Sequence, residues 1–253
     1  MIMDEHLVSL HAENLGAAVS DHDFIVPQNP RLKTRYNLIV AQNIGDQPRI
    51  VLGVAGGSGS GKSWLANAIV AAFPEQTTLI CHDWYYRHNG DLDETQALKL
   101  NFDHPRALDT ALMCRQLDQL NAGKEIDAPI YDYATHSRLK ETRRVLPRPL
   151  IILDGILVLT EKALRDRMTV SVFIETPDDI RLMRRVRRDC TERRVDLNET
   201  LRLYEDFVRP MHRRFVEPSS HHATWIWSQL DDKTFPNLLI KDLKRRLGEK
   251  VLA

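Results

Sequence analysis

The sequence has little cysteine, no excess of charge of either sign and no long apolar run. Its three cysteines, Cys81, Cys114 and Cys190, fit neither a CxxC metal pair nor an even disulfide framework, so we expect a reducing, cytoplasmic environment. Lys plus Arg number 35 and Asp plus Glu number 35, so no global field favours nucleic acid. The longest apolar run, 149–159, is interrupted by Asp154 and falls short of the roughly 20 residues that a membrane helix needs. We therefore expect neither nucleic acid nor membrane as a partner.

Residues 1–48 differ in composition from the rest of the chain. They are polar and contain Pro27, Pro30 and Pro48, which interrupt regular elements. Their first residues carry acids and lack the basic start and apolar core of a signal peptide. We interpret 1–48 as an irregular appendage and 49–253 as one folded domain, since 253 residues is near the upper size for a single core.

From Arg49 onward, short β-branched runs alternate with stretches of helical periodicity. This alternation predicts a three-layer α/β fold with a mainly parallel sheet of about five strands, covered on both faces because the apolar runs are continuous. A small β-hairpin insertion is expected around 124–146. The strand candidates are 50–54, 77–81, 150–153, 170–174 and 224–227. The helix candidates are 62–73, 106–121, 178–194 and 197–211, the last preceded by Asp196 in an N-cap position.

The sharpest motif is GGSGSGKS, which satisfies GxxxxGK[ST] between a predicted strand and an amphipathic helix. Its glycines let consecutive backbone N–H groups point at phosphate oxygens, and the helix N-terminus adds positive potential. Lys62 would reach the terminal phosphates, and Ser63 can coordinate Mg²⁺. The predicted nucleoside triphosphate site consists of Gly56, Gly57, Ser58, Gly59, Ser60, Gly61, Lys62 and Ser63.

Two carboxylates follow predicted strands and so reach the same edge of the sheet. Asp154 closes the run LIIL and is a Walker-B-type candidate, or alternatively a turn aspartate. Asp83 follows TTLIC; a kinase that acts on a hydroxyl needs such a carboxylate to orient the hydroxyl and accept its proton. An ordinary loop aspartate is the alternative for Asp83.

Positive charge is concentrated in residues 181–194, where seven arginines stand against only Asp189 and Glu192. The planar guanidinium fork pairs with phosphate oxygens in bidentate fashion, which suits neutralisation of a transferred phosphoryl group. A solvated helix face is the alternative for several of these arginines. We expect two or three of the seven to act on phosphate, within a lid at about 181–196.

Seven segments together resemble the uridine-cytidine kinase family of P-loop kinases, in the phosphoribulokinase/uridine kinase superfamily. The resemblance runs from Arg49 to the carboxyl terminus, and the NFDHP and YDxxxHSR motifs are specific to that family. It implies a nucleoside kinase-like P-loop fold. The segments are GVAGGSGSGKS (53–63), HDWYYR (82–87), NFDHPRALD (101–109), PIYDYATHSR (129–138), ILDGILVL (152–159), RLMRRVRRDCTER (181–193) and FVRPMHRRFVEP (207–218).

The resemblance also implies catalytic roles. Asp83 matches the family's catalytic base, and Arg188 and Arg193 match lid arginines that clamp the transferring phosphoryl group. Ser63, Asp83 and Asp154 would hold Mg²⁺ with ATP as the donor. The Walker-B position is usually glutamate in the family, so Asp154 is one methylene shorter and could contact the metal through water.

On the acceptor side, Asp103 matches a carboxylate that holds ribose hydroxyls and Arg185 matches an arginine near the sugar. The nucleoside pocket wall would consist of Tyr131, Tyr133, His136 and Ile156. From spacing alone, Tyr131 and Tyr133 point to the same side of an extended segment, which equally suits a hairpin that packs on a core.

Two departures concern the acceptor base. The family segment ERGRD reads Glu-Arg-Arg-Val-Asp at 192–196, so Val195 replaces an arginine that helps recognise the base. A glutamine on the following helix aligns with Leu203. Losing polar groups from such a pocket relaxes or changes specificity.

The expected activity is Mg-ATP-dependent phosphorylation of the 5′-hydroxyl of a nucleoside, with uridine or cytidine as the default acceptor. One alternative is a kinase for another ribosyl, sugar-phosphate or pantothenate-like molecule, which Val195 and Leu203 favour. A second is a regulatory nucleotide binder without turnover, against which the joint presence of Lys62, Asp83 and Asp154 argues. The resemblance also suggests a homo-oligomer.

Overall fold

The computed structural model describes residues 49–87, 101–132, 135 and 137–248, and the predicted appendage 1–48 lies outside them. The strands are β1 (Ile50–Gly56), β2 (Thr77–Cys81), β3 (Ile126–Asp132), β4 (Ser137–Val145), β5 (Leu150–Asp154), β6 (Val170–Glu175) and β7 (Trp225–Ser228). Five of them form one parallel sheet in the order β2-β5-β1-β6-β7, while β3 and β4 form a separate antiparallel hairpin. The predicted five-stranded parallel sheet and the hairpin insertion are confirmed.

The helices cover both faces of the sheet. The α-helices are α1 (Lys62–Ala72), α2 (Thr110–Asn121), α3 (Lys162–Arg165), α4 (Asp178–Thr191), α5 (Leu197–Leu203), α6 (Arg209–Met211) and α7 (Phe235–Arg246). Short 3₁₀ turns cover His82–Tyr85, Pro105–Ala107 and Glu217–His222, and π-helical turns cover Tyr204–Val208 and His212–Val216. Residues of α1 and α7 pack on one face of the sheet, and residues of α2 and the hairpin pack on the other. Because both faces are covered, every residue of β1 and β5 is buried.

The register of the sheet fixes where the site lies. Val54 of β1 pairs with Asp154 of β5, and Cys81 of β2 pairs with Asp154 on its other side. The carboxyl ends of these three strands therefore meet at one edge. Loops that follow the strands deliver their side chains to that edge, as is general in open parallel sheets.

Two helix boundaries differ from the predicted ones. The helix predicted over 106–121 begins at Thr110, because the Asp109 side chain accepts a hydrogen bond from the Leu112 backbone N–H at 3.1 Å and so caps it. The helix predicted over 178–194 ends at Thr191, and Arg194 has a φ of 57° that no helix continues through. Helices α3 and α7 were not predicted from the sequence.

The stretch predicted as a helix over 197–211 is only partly regular. Asp196 caps it as expected, since its side chain accepts from the Asn198 and Glu199 backbone N–H groups. The prediction that Leu197 and Leu201 belong to a buried apolar face is wrong, since they are 49% and 37% exposed. Wider π-helical turns follow α5, and the buried side recurs every four residues, at Thr200, Tyr204 and Val208.

Candidate active site

A cavity of about 950 Å³ opens at the carboxyl edge of the parallel sheet. It brings together predicted residues from six separate segments of the chain. Tyr133 and His136, predicted for the pocket wall, lie outside the described residues. The predicted residues that line the cavity are Ser58, Gly59, Gly61, Lys62, Ser63, Asp83, Asp103, Tyr131, Asp154, Ile156, Arg185, Arg188 and Arg193. Of the remaining predicted positions, Gly56 ends β1, and Gly57 and Ser60 lie within the phosphate loop behind this lining.

The loop between β1 and α1 has the backbone that a phosphate cradle requires. Gly59 has a φ of 79°, and a Cβ there would lie 2.5 Å from the carbonyl oxygen of Arg181, so only glycine fits. Lys62, the first residue of α1, donates from Nζ to the Gly57 carbonyl oxygen at 2.9 Å. Burial lowers the pKa of Lys62, and the nearby carboxylates of Asp154 and Asp83 oppose that shift. The hydrogen bond to Gly57 holds the Lys62 side chain at the loop, and the two carboxylates favour its charged form.

Ser63 and Asp154 form a pair of oxygen donors beside this loop. The Ser63 hydroxyl donates to Asp154 Oδ2 at 2.8 Å, and Asp154 Oδ1 is buried with no hydrogen-bond partner among the described residues. A buried carboxylate oxygen left over in this way is a ready ligand for a cation. Within the described chain no group of three or more His, Cys, Asp or Glu side chains could hold a metal by itself. Hydroxyl and carboxylate oxygens fit Mg²⁺, which binds through one or two carboxylates together with substrate phosphates.

Asp83 and Asp103 face the same cavity from different loops. Asp83 lies in the 3₁₀ turn that follows β2 and is half-buried. Burial raises the pKa of Asp103, an effect that Arg185 opposes and the neighbouring charge of Asp83 reinforces. Cys81 also lines the cavity, but burial and the charges of Asp154 and Asp83 raise its thiol pKa to about 12. Burial and these charges therefore favour the protonated thiol, which is the less nucleophilic form.

An aromatic group forms the side of the cavity next to the hairpin. The Tyr131 ring of β3 lies 5.2 Å from that of Tyr86, which lies 5.4 Å from Phe102 in an edge-to-face arrangement. Arg138 of β4 donates to the carbonyl oxygens of Tyr85 and Tyr86 at 3.1 and 2.9 Å, which ties the hairpin to the loop after β2. Tyr131 was predicted here from the sequence. Tyr86 and Phe102 also line the cavity and were not predicted, although they lie inside the HDWYYR and NFDHP segments.

Four arginines of the predicted lid line the cavity, one more than the three named from the sequence. Arg185 donates to the Ser58 hydroxyl at 3.1 Å, and Arg188 and Arg193 stand beside it. The addition is Arg184, which donates to the Gly59 carbonyl at 3.3 Å and to Gln229 at 2.7 Å. Arg184 directly precedes Arg185 in the helix, and their spacing in the sequence could not distinguish the role of one from that of the other.

Arg181 has a different place from the other lid arginines. It is buried, donates from Nε to the Thr176 carbonyl at 3.1 Å and pairs with Asp178. Its guanidinium packs directly against Gly57 of the phosphate loop, next to the imidazole of His212. Arg181 therefore supports the loop from behind, and it does not line the cavity.

Val195 and Leu203, the two positions that differ from the family pattern, also lie at the cavity. Both side chains line it, together with Phe207 and Val208 of the following π-helical turn. This wall is apolar, so it contributes no hydrogen-bond donor or acceptor from its side chains.

Together the parallel sheet, the phosphate loop and the arginine helix define a P-loop kinase. The chain belongs to the Phosphoribulokinase / Uridine kinase family, whose model matches residues 51–235. The uridine kinase of Streptococcus agalactiae serotype V is 44% identical over 175 residues, which cover 69% of this chain and 84% of that protein. The uridine kinase of Streptococcus gordonii is 42% identical over 69% of this chain and 83% of its own.

Solved structures show the same fold at lower identity. The D-glycerate 3-kinase of Cryptococcus neoformans superimposes with a TM-score of 0.54 at 15% identity, over 74% of this chain and 86% of its own. The phosphoribulokinase of Rhodobacter spheroides gives a TM-score of 0.51 at 12% identity, over 70% of this chain and 69% of its own. In the part of the chain that the structure describes, no helix is both long and apolar enough to span a membrane.

Proposed function

We propose that the protein transfers the γ-phosphoryl group of ATP to the 5′-hydroxyl of a nucleoside, with uridine or cytidine as the default acceptor. The observation that carries this proposal is the shared cavity of Lys62, Asp83 and Asp103, which puts a phosphate-binding ammonium and two carboxylates around one space. The uridine kinases of the two streptococci support the choice of acceptor.

In this mechanism Asp83 orients the acceptor hydroxyl and accepts its proton as the new P–O bond forms and the bond to the ADP oxygen breaks. Lys62, Arg188 and Arg193 stabilise the negative charge on the transferring group. Asp103 accepts hydrogen bonds from the ribose hydroxyls, with Arg185 beside the sugar. Since such catalysis is mainly positioning and electrostatics, the arginine helix would also exclude water.

The pair of Ser63 and Asp154, with Asp83 on the same edge, would hold Mg²⁺ together with the phosphates of ATP. The ion supplies charge neutralisation between the phosphate oxygens when it is bound. We further propose a cytoplasmic enzyme that assembles as a homo-oligomer, as the family resemblance implies. Size-exclusion chromatography with light scattering measures the assembly directly.

Apolar side chains at Val195 and Leu203 keep a second candidate open, a kinase for another ribosyl or sugar-phosphate acceptor. The test is ADP release and product mass with uridine, cytidine, purine nucleosides, pantothenate and ribulose 5-phosphate. Robust formation of UMP or CMP supports the first proposal. Turnover of a non-pyrimidine acceptor alone supports the second, and ATP binding without turnover of any acceptor contradicts both.

A further inference from the structure

Asp189, on the last turn of α4, contacts three of the arginines that line the cavity. Arg188 donates from Nε to Asp189 Oδ1 at 2.9 Å, and its Nη2 lies 2.8 Å from the same oxygen. Arg185 Nε lies 3.2 Å from Oδ2, and Arg193 Nη1 lies 3.7 Å from Oδ1. Only 4% of Asp189 is exposed, so it is a buried carboxylate among three guanidinium groups.

The backbone of the same residue holds the turn that follows the helix. The Asp189 carbonyl oxygen accepts a hydrogen bond from the Val195 N–H at 3.0 Å. Between them lies Arg194, whose φ of 57° is costly for a residue with a side chain. One residue therefore joins the helical arginines to Arg193 and to the apolar wall at Val195.

Three guanidinium groups beside one cavity repel one another, and free arginine side chains sample many rotamers. A buried carboxylate is costly unless charges and hydrogen bonds pair with it; here Arg188 donates a hydrogen bond to it, and Arg185 and Arg193 lie within ion-pair distance. The desolvation of Asp189 is unfavourable, but its carboxylate keeps the arginines facing the cavity before phosphate binds. Preorganised charge of this kind is the main source of transition-state stabilisation in phosphoryl transfer.

We propose that Asp189 is a positioning residue for the lid: although it lies at the cavity wall, its carboxylate is engaged by Arg185, Arg188 and Arg193, and it acts on transfer by setting the directions of these arginines. This rests on the proposed function of the site. Its negative charge also reduces the attraction of the lid for anions. Removing that charge while keeping the shape should therefore harm turnover more than the binding of ATP.

The test compares Asp189→Asn with Asp179→Asn, an exposed position on the first turn of the same helix that removes the same charge. For Asp189→Asn we expect kcat to fall about 10- to 100-fold, with the Kd for ATP measured by calorimetry unchanged or tighter. Asp179→Asn should stay within about twofold of the parent in both quantities. Asp189→Glu, which restores the charge on a longer side chain, should recover part of the lost kcat.

Three outcomes overturn the proposal. One is a kcat for Asp189→Asn equal to that of the Asp179→Asn control. Another is a loss of ATP affinity as large as the loss of kcat, which indicates general damage to the domain. The third is an Asp189→Glu variant no better than Asp189→Asn, because charge would then not be the property that matters.

A second readout separates this proposal from the proposed activity. Trypsin cleaves after arginine, and cleavage is faster where the backbone opens more often. In the absence of nucleotide, Asp189→Asn should speed cleavage after Arg188 and Arg193 several-fold over Asp179→Asn, with fragments identified by mass spectrometry. If the parent phosphorylates none of the acceptors, the proposed function fails, while equal cleavage rates in the two variants would contradict the role of Asp189.

Discussion

His82 is a buried histidine next to the candidate base, and its burial should make the stability of the fold depend on pH. It is 1% exposed, and neither ring nitrogen has a hydrogen-bond partner among the described residues. Burial lowers its pKa to about 4. The unfolded chain, in which the ordinary histidine pKa is about 6.5, therefore binds a proton more readily than the folded one.

This difference in pKa between the folded and unfolded chain sets the sign and the size of the effect of pH on the free energy of unfolding. Stability is full above the unfolded pKa and is lost as the pH falls from about 6.5 toward about 4, since only the unfolded state gains the proton there. Linkage gives a loss of about 2 kcal/mol in the free energy of unfolding between pH 7 and pH 5 from His82 alone.

The assay is urea unfolding followed by fluorescence at half-unit steps from pH 5 to pH 7.5. His82→Phe keeps an aromatic ring and removes the titration, so the stability gap between the parent and this variant should change by about 2 kcal/mol across that range. His221→Phe, at an exposed histidine, is the matched control for replacing an imidazole by a phenyl ring. Parallel pH curves for the parent and His82→Phe would show that His82 does not cause the pH dependence of stability.

Two further predictions concern the acceptor wall and the start of α2. Val195→Arg combined with Leu203→Gln should raise the ratio of kcat/KM for cytidine and uridine to that for purine nucleosides about tenfold or more, because polar groups would then hydrogen-bond the base. Leu201→Gln, at an exposed position, is the control. An unchanged ratio would contradict the placement of Val195 and Leu203 beside the base. Asp109→Ala should lower the free energy of unfolding by about 1 kcal/mol, because the α2 cap is lost. Asp109→Asn can still accept a hydrogen bond from the Leu112 N–H and should lower it clearly less. Equal losses in denaturant unfolding would show that the charge of Asp109 matters and not the cap.

The five strands of the parallel sheet and the helix after the phosphate loop were predictable because their local patterns agree with the global fold. The runs at 50–54 and 150–153 are buried on both faces, which makes continuous apolar sequence a reliable signal of a parallel strand. The phosphate loop was equally predictable, since its glycines are needed for a phosphate-binding backbone conformation that few other structures share. Asp83 and Asp154 then followed from their places at strand ends.

Other features depend on contacts that a linear pattern does not carry. The exposed Leu197 looked like part of an apolar face, and the π-helical turns that change the buried side have no clear signal in the sequence. Arg181 and Arg184 are three residues apart in one arginine run, yet one supports the phosphate loop from behind and the other lines the cavity. Only the position of α4 against that loop separates them.

Asp83 is proposed to deprotonate the acceptor hydroxyl, while the phosphate loop and Lys62 make the main contacts with ATP. The most direct measurement is the kcat for uridine and the Kd for ATP of Asp83→Asn, with Asp166→Asn at an exposed site as the control. We expect kcat to fall by about two to four orders of magnitude, with the affinity for ATP nearly intact. Turnover equal to that of the control would contradict it and remove Asp83 from the mechanism.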